Sequence, residues 1–214
     1  MKTINYVCSL GILCHTASLI KQNNLKKCSY PFDWIFSNPK MIIDCINDNF
    51  VTFLDRSLHT KHKDNTENKS GHKLYGEHIF NHHCILKDKH YEYFVRCVRR
   101  FRTLMKTNNN KLFVISFVNK KENITDNIQK QLNDLYMTLH KITNNFDLLI
   151  IWHTVGNKLK SNVLEDKNLQ NLKFLNIMTT SNSDGSQIKD ERENKFYNKC
   201  IFELYDFKII DNIH

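Results

Sequence analysis

The chain is poor in residues that break regular structure and has no glycine-rich motif that binds phosphate. Two prolines and five glycines in 214 residues exclude collagen-like, linker-like and disordered classes. Gly11 stands alone, without the further glycines of a dinucleotide-binding or nucleoside-triphosphate loop. The aromatic motifs of RNA-binding sheets are also missing. We therefore expect residues 1–214 to form one folded domain with a sizeable core.

Long apolar runs and paired cysteines are also lacking. No stretch approaches the roughly 18 apolar residues of a membrane span, and the apolar segment 7–13 is too short and too interrupted for a secretory signal. The seven cysteines are scattered without short paired spacings, which predicts reduced thiols rather than disulfides. We expect an intracellular, cytoplasmic protein (in the host cytoplasm if it is viral) with no membrane contact.

Arginine is scarce although the chain is basic. Only six of the 31 basic residues are arginine, against a net charge of +9. An excess of lysine, asparagine and isoleucine is typical of an AT-rich genome, such as that of a host-associated microbe or a large DNA virus. The high charge therefore does not indicate nucleic-acid binding. We expect an unidentified protein or small molecule as substrate, and the oligomeric state stays open.

Hydrophobic periodicity predicts alternating strands and helices. Continuous apolar segments predict strands at 4–10, 111–118, 146–155 and 172–178, with 200–211 as a further candidate. Amphipathic spacing predicts helices at about 13–21, 39–54, 91–105 and 124–142. The polar segment 59–73 predicts a mobile loop. Buried strands separated by helices favour a single layered α/β domain whose largely parallel sheet is flanked by helices.

A cysteine stands at the predicted start of the first helix, in the stretch SLGILCHTA. The thiolate is the reactive form of cysteine, and the N–H groups and dipole of a helix N-terminus favour negative charge. Cys14 is therefore a candidate nucleophile, with the N–H groups of residues 13–15 as a candidate oxyanion hole. The alternative is that Cys14 is a small buried apolar residue.

A cysteine nucleophile needs a base, and histidines are concentrated in GEHIFNHHCILKD. His83 and His82 are the candidate bases, and because neighbouring side chains point to opposite sides of an extended chain, only one can meet Cys14. Asp33, in the segment PFDW, either orients that histidine or anchors its own loop. The histidines and the cysteine of this region are residue types that bind metals, but their spacing matches no established metal-binding motif. We therefore expect neither a metal nor another cofactor.

Three further residues are candidates for substrate binding. Arg96 and Arg100 lie on the helix predicted at 91–105, where they either clamp an anionic substrate or are only solvated. Trp34 belongs to an aromatic loop that we expect to be packed against the domain.

In their order and spacing, five segments resemble a family of papain-like cysteine peptidase domains found in bacteria, some eukaryotes and large DNA viruses. The segments are SLGILCHTA, SYPFDWIFSNPKMIIDCI, FLDRSL, YGEHIFNHH and YEYFVRCVRRF, and the resemblance covers about residues 4–118. It implies a Cys–His enzyme with Cys14 as nucleophile and a histidine of NHH as base. It also implies a papain-like α+β fold as the alternative to the α/β layers.

The leading hypothesis is a thiol-dependent hydrolase or acyl-transfer enzyme with a Cys–His(–Asp) constellation. Two hypotheses from other classes stay open. The first is a non-catalytic binding or host-interaction module in which Cys14 belongs to the core. The second is an α/β enzyme that acts on sugars or nucleotides, with the arginines binding phosphate.

Overall fold

The computed structural model describes residues 1–63, 67–165, 169 and 171–210. These residues form six α-helices: α1 (Cys14–Gln22), α2 (Pro39–Asn47), α3 (Val51–Leu54), α4 (Asp88–Lys106), α5 (Asp126–Ile142) and α6 (Glu191–Phe202). They also form ten strands: β1 (Lys2–Ile4), β2 (Tyr6–Ser9), β3 (His59–Lys61), β4 (Ser70–His72), β5 (Gly76–Phe80), β6 (Lys111–Lys120), β7 (Phe146–Val155), β8 (Lys160–Glu165), β9 (Leu172–Thr179) and β10 (Tyr205–Phe207). None of the described helices is long and apolar enough to cross a membrane.

A five-stranded sheet forms the centre of the fold, in the order β2-β6-β7-β9-β8. The first four strands are parallel, and β8 is an antiparallel edge strand. One face of the sheet packs against α2, α4 and α5, and the other packs against α1 and α6. Because both faces are covered, the parallel strands are buried along most of their length. The prediction of an α/β domain with a largely parallel, helix-flanked sheet is confirmed.

Two small sheets complete the fold. Strands β1 and β10 pair in parallel, and β3, β4 and β5 form an antiparallel sheet. The structure thus differs from the loop predicted for residues 59–73, because both ends of this segment are strands. Polar residues are buried there because they are bonded: His59 and His72 donate from Nε2 to the carbonyl oxygens of Phe53 and Thr52, each at 3.0 Å. Residues 64–66 lie outside the described residues, and the mobility of the segment stays a prediction.

The helix predicted over residues 39–54 is interrupted. It begins as expected, with Asn38 accepting a hydrogen bond from the Met41 N–H at 2.9 Å and Pro39 in the first position. Asn49 and Phe50 then adopt left-handed φ angles of 54° and 61°, which ends α2 and starts α3. Packing holds this unfavourable conformation, since the buried Phe50 ring contacts those of Phe53 and Phe101.

The strand candidate at 200–211 is shorter than the predicted segment. In its described part, 200–210, residues 200–202 end helix α6 and residues 205–207 form strand β10. Strand β8 was not predicted because all six of its residues are exposed, so it has no buried face to create an apolar pattern.

Candidate functional site

The turn between β2 and α1 places Cys14 at the first position of its helix, directly after Leu13 as N-cap. Gly11 makes this turn with a φ of +86°, and a Cβ there would lie 2.2 Å from Ser37 Oγ, so only glycine fits. The Thr16 hydroxyl donates to the Gly11 carbonyl at 2.7 Å, which ties the first turn of α1 back to the loop.

His82 meets this cysteine from the segment that follows β5. Its Nε2 atom lies 3.1 Å from the Sγ atom of Cys14. The end of β5 is held toward α1 by a bridge between Phe80 and Ile35 and by the Phe36 N–H, which donates to the Ile79 carbonyl at 2.9 Å. Cys14 is half-buried and His82 is exposed, so the pair lies at the surface and is open to a substrate.

His83 points away from Cys14. Its ring stacks on that of Tyr93, with centroids 4.5 Å apart and an interplanar angle of 6°. Burial, together with repulsion from His90, lowers the pKa of His83 to about 4. The prediction that His83 reaches the nucleophile is therefore corrected: consecutive side chains alternate, and the aromatic surface of α4 takes the side chain of His83.

Asp33 is not brought to either histidine. Its buried carboxylate forms an ion pair with Lys26 and accepts a hydrogen bond from the Tyr30 N–H at 3.2 Å. Burial raises the pKa of Asp33, while Lys26 opposes that rise. Of the two roles left open by the sequence, the observed contacts fit the loop anchor, and the expectation that Asp33 orients the base is corrected.

Trp34 is the aromatic residue beside the base. Its ring meets that of His82 edge-on, with centroids 6.3 Å apart, and the Lys26 ammonium lies 5.6 Å from the Trp34 ring centre. Trp34 has a left-handed φ of 60°, which is unfavourable for a bulky residue and typically costs about 1–3 kcal/mol. The neighbouring Asp33 is bound to Lys26 in an ion pair, so the same lysine contacts both residues of this loop.

The electrostatics of Cys14 differ from the simple helix-terminus prediction. Burial raises the pKa of the Cys14 thiol, and its own backbone N–H only partly offsets this. Desolvation of a half-buried sulfur thus opposes the helix N-terminus. A thiolate at this position needs a neighbouring group to take up the proton, and the group within reach is His82.

The predicted substrate-binding arginines lie on α4. Arg96 is exposed and Arg100 is partly buried. Arg100 lies close enough to Cys28 to oppose the rise that burial causes in the pKa of that thiol. None of the described contacts joins either arginine to Cys14 or His82, so their role in substrate binding stays a prediction.

The other histidines of this region have separate partners. His90 Nδ1 donates to the Cys84 carbonyl at 3.2 Å, and His78 contacts His62 at 2.5 Å between ring nitrogens. In the part of the chain that the structure describes, no group of three or more His, Cys, Asp or Glu side chains could hold a metal ion.

Sequence reasoning missed one residue beside the nucleophile. His15 follows Cys14 directly but points into the protein, where its Nδ1 lies 2.8 Å from Ser183 Oγ. No local pattern links these two residues, which are 168 positions apart.

Comparison with known proteins identifies a family for most of the chain. A family model described as "Putative papain-like cysteine peptidase (DUF1796)" matches residues 5–156, a span that contains Cys14, His82 and strands β2 to β7. No curated protein and no solved structure matches the chain. Since the family model covers more than half of the sequence, the chain belongs to this papain-like cysteine peptidase family.

Proposed function

We propose that the protein is a thiol-dependent hydrolase or acyl-transfer enzyme with Cys14 as nucleophile and His82 as general base. One observation carries the proposal: the 3.1 Å contact between Cys14 Sγ and His82 Nε2 at the N-terminus of α1. A nucleophile and a base within hydrogen-bond reach are what covalent catalysis requires. Membership of the family supports the same chemistry.

The first step forms a thioester. His82 Nε2 takes the proton of the Cys14 thiol, and the sulfur attacks the carbonyl carbon of the substrate. The tetrahedral intermediate then collapses, and its leaving group departs with the proton from His82. In the second step water, or another acceptor, gives its proton to His82 and attacks the thioester, which releases the acyl group and restores the thiol.

The N-terminus of α1 supplies the charge stabilisation. The first N–H groups of a helix have no intrahelical acceptor, and Cys14 is the first residue of α1. An oxyanion formed there gains hydrogen bonds and the favourable end of the helix dipole. The substrate carbonyl would therefore sit over the first turn of α1, with Trp34 on the His82 side.

Proton transfer to His82 also answers the electrostatic problem of Cys14. Burial raises the pKa of the Cys14 thiol, so an isolated thiolate is unfavourable at neutral pH. Transfer within the pair creates a thiolate and an imidazolium together, and the attraction between opposite charges offsets the desolvation cost.

The described contacts of His82 favour a Cys14–His82 dyad, with the Trp34 ring against the histidine, over a Cys–His–Asp triad. Asp33 is engaged with Lys26 and Tyr30, whereas Trp34 touches the His82 ring. The surface position of the pair suits a carbonyl carried by a peptide or by another extended molecule.

A chromogenic ester tests the proposal. Wild-type protein is mixed with p-nitrophenyl acetate, quenched in acid and analysed by intact mass and peptide mapping. We expect a burst of nitrophenol and one acetyl group on Cys14, lost in Cys14→Ala and retained in the matched variant Cys28→Ala, which removes another half-buried thiol. Acetylation of Cys28 as fast as Cys14 would contradict the proposal.

A further inference from the structure

His15 is buried directly behind the nucleophile, with 1% of its surface exposed. Its Nδ1 atom lies 2.8 Å from Ser183 Oγ, and its ring meets that of Tyr197 edge-on with centroids 5.2 Å apart. Cys14 and His15 are the first two residues of α1. The contacts of the His15 ring therefore hold the same helical turn that carries the sulfur.

Ser183 is itself fixed from both sides by one amide side chain. Asn119 accepts from the Ser183 N–H at 2.7 Å and donates to the Ser183 carbonyl at 2.8 Å. Asn119 lies near the end of β6 with a left-handed φ of 57°, a conformation that asparagine tolerates better than most residues. The hydroxyl that meets His15 is thus anchored to the central sheet.

The hydrogen bonds favour one tautomer of His15. The Gly185 N–H donates to Ser183 Oγ at 3.0 Å, and among the described hydrogen bonds His15 Nδ1 is the acceptor within reach of the Ser183 hydroxyl hydrogen. All three groups are satisfied when the hydroxyl donates to Nδ1 of a neutral His15 that carries its own hydrogen on Nε2. Burial, together with repulsion from His153, lowers the pKa of His15 to about 4, which agrees with a neutral ring.

A second histidine continues the network to the next two strands. The Asn119 N–H donates to His153 Nδ1 at 3.1 Å, which leaves the hydrogen of His153 on Nε2. That group donates to Thr179 Oγ1 at 2.7 Å, and the Thr179 hydroxyl donates to the Ser181 carbonyl at 2.7 Å. Each of these hydrogen bonds of His153 and Thr179 thus has one donor and one acceptor.

Glu193 closes the network from α6. Its carboxylate accepts hydrogen bonds from the backbone N–H groups of Thr180 and Ser181, at 3.1 and 2.8 Å, and from both hydroxyls. Although burial acts to raise it, the pKa of Glu193 falls to about 2 because these hydrogen bonds stabilise the charged form. The segment that presents Ser183 is therefore rigid.

These groups lie together at the carboxyl ends of the parallel strands: Asn119 on β6, His153 on β7, Thr179 on β9, and α1 after β2. Many α/β sheets bind their ligand in the crevice at this edge. Here the edge contains the protein's own polar side chains, bonded to one another, and the nucleophile lies on the outer side of this polar layer.

We propose that His15 and Ser183 are positioning residues for Cys14. Their hydrogen bond fastens the first turn of α1 to the rigid segment at the carboxyl edge of the sheet and so sets the approach of Cys14 Sγ to His82. This rests on the proposed function, because it specifies how the same pair is held. Neither positioning residue touches the substrate.

Replacement of Ser183 tests the proposal, with acylation of Cys14 by p-nitrophenyl acetate as the readout. In Ser183→Ala the buried Nδ1 of His15 loses its donor, and the first turn of α1 is released. A displacement of about 1 Å can lower a rate by about a hundredfold, so we expect the rate constant of Cys14 acylation at saturating ester to fall roughly ten- to a hundredfold, with little change in the half-saturating ester concentration. Ser186→Ala is the matched control, because the described hydrogen bond of that hydroxyl stays within its own turn, to Asp184 at 2.8 Å.

Conservative variants separate positioning from general stability. Ser183→Thr retains the hydroxyl and should recover most of the rate. His15→Leu should lose it, whereas His15→Asn should recover part of it, because an amide oxygen can accept at the position of Nδ1. Alkylation of Cys28 and the midpoint of thermal unfolding report on the fold in the same samples, and the His15 pair provides the test if Ser183→Ala does not fold.

The outcomes are distinct. Wild-type protein that acetylates Cys14, with Ser183→Ala and His15→Leu at the wild-type rate, would overturn the positioning role and leave the proposed function intact. Rates that fall only in proportion to the folded fraction, with no rescue by Ser183→Thr or His15→Asn, would also overturn it. Wild-type protein that forms no thioester would overturn the proposed function and this inference with it.

Discussion

His82 lies with its Nε2 atom 3.1 Å from the sulfur of Cys14, although the two residues are separated by a small antiparallel sheet and two helices in the chain. The contact depends on the turn at Gly11, which starts α1 at Cys14, and on the bridge that holds the end of β5 near Ile35. Two local structures that are far apart in the sequence thus combine into one reactive pair.

The pH dependence of Cys14 alkylation should reveal its partner. Burial raises the pKa of both Cys14 and Cys28. As an isolated thiol, each should therefore need a higher pH than an ordinary cysteine before it is alkylated. In wild-type protein, proton transfer to His82 should let Cys14 react with iodoacetamide at a lower pH than Cys28. In His82→Ala, Cys14 should react only above the pH range of an ordinary thiol, because its backbone N–H only partly offsets the rise in pKa that burial causes. Identical profiles for Cys14 in the two proteins would contradict this.

Asp33 should matter for stability and not for the chemical step. Its carboxylate and Lys26 form a buried ion pair, and removing one partner of such a pair typically costs about 3–5 kcal/mol. We expect Asp33→Asn to lower the free energy of unfolding by that amount, measured by denaturant titration, while acylation of Cys14 per folded molecule stays unchanged.

The exposed pair Lys40–Asp44 provides the control for that experiment. Because both partners are solvated, Asp44→Asn should change the free energy of unfolding by less than about 1 kcal/mol. If Asp33→Asn abolished acylation in fully folded protein, Asp33 would have a direct catalytic role that its described contacts do not suggest.

Two buried histidines should lower the free energy of unfolding in mild acid. The pKa values of His15 and His153 are lowered by burial to about 4, whereas an unfolded histidine titrates near 6.5. Between these values the unfolded chain takes up protons that the folded protein does not, so stability falls as the pH drops from about 6.5 to about 4. The loss should be on the order of several kcal/mol for the two groups together.

Urea titrations across this pH range measure the loss, and the variant His153→Gln isolates one histidine. Its free energy of unfolding should depend less steeply on pH than that of the wild type over the same window. Equal slopes would show that His153 does not stay neutral in the folded protein.

The sequence alone predicted the parts of the fold whose burial is regular. Strands β6, β7 and β9 are buried on both faces, and α4 and α5 have one continuous apolar stripe, so local pattern was sufficient for each. It was not sufficient for β8, which is wholly exposed, or for β3 and β4, whose buried histidines each donate one hydrogen bond to a carbonyl group, of Phe53 and of Thr52.

The sequence predicted the reactive pair of the candidate site except for the choice between two histidines. The glycine turn and the helix start identified Cys14, and the alternation of side chains showed that one histidine of NHH could reach it. The choice between His82 and His83 depended on Tyr93, an aromatic side chain of α4 that takes the ring of His83. The ion pair of Asp33 with Lys26 and the contact of His15 with Ser183 likewise depend on tertiary structure.

The rate of thioester formation in a matched pair of neighbouring variants tests the central claim most directly. Wild-type protein, His82→Ala and His83→Ala are mixed with p-nitrophenyl acetate, and acetylated Cys14 is quantified by rapid quench and mass spectrometry. Loss of a general base typically costs about 10²–10⁴ in rate, so we expect a fall of that size in His82→Ala and a change of no more than a few-fold in His83→Ala. An unchanged rate in His82→Ala, or an equal fall in both variants, would contradict the assignment of Cys14 and His82 as the reacting pair.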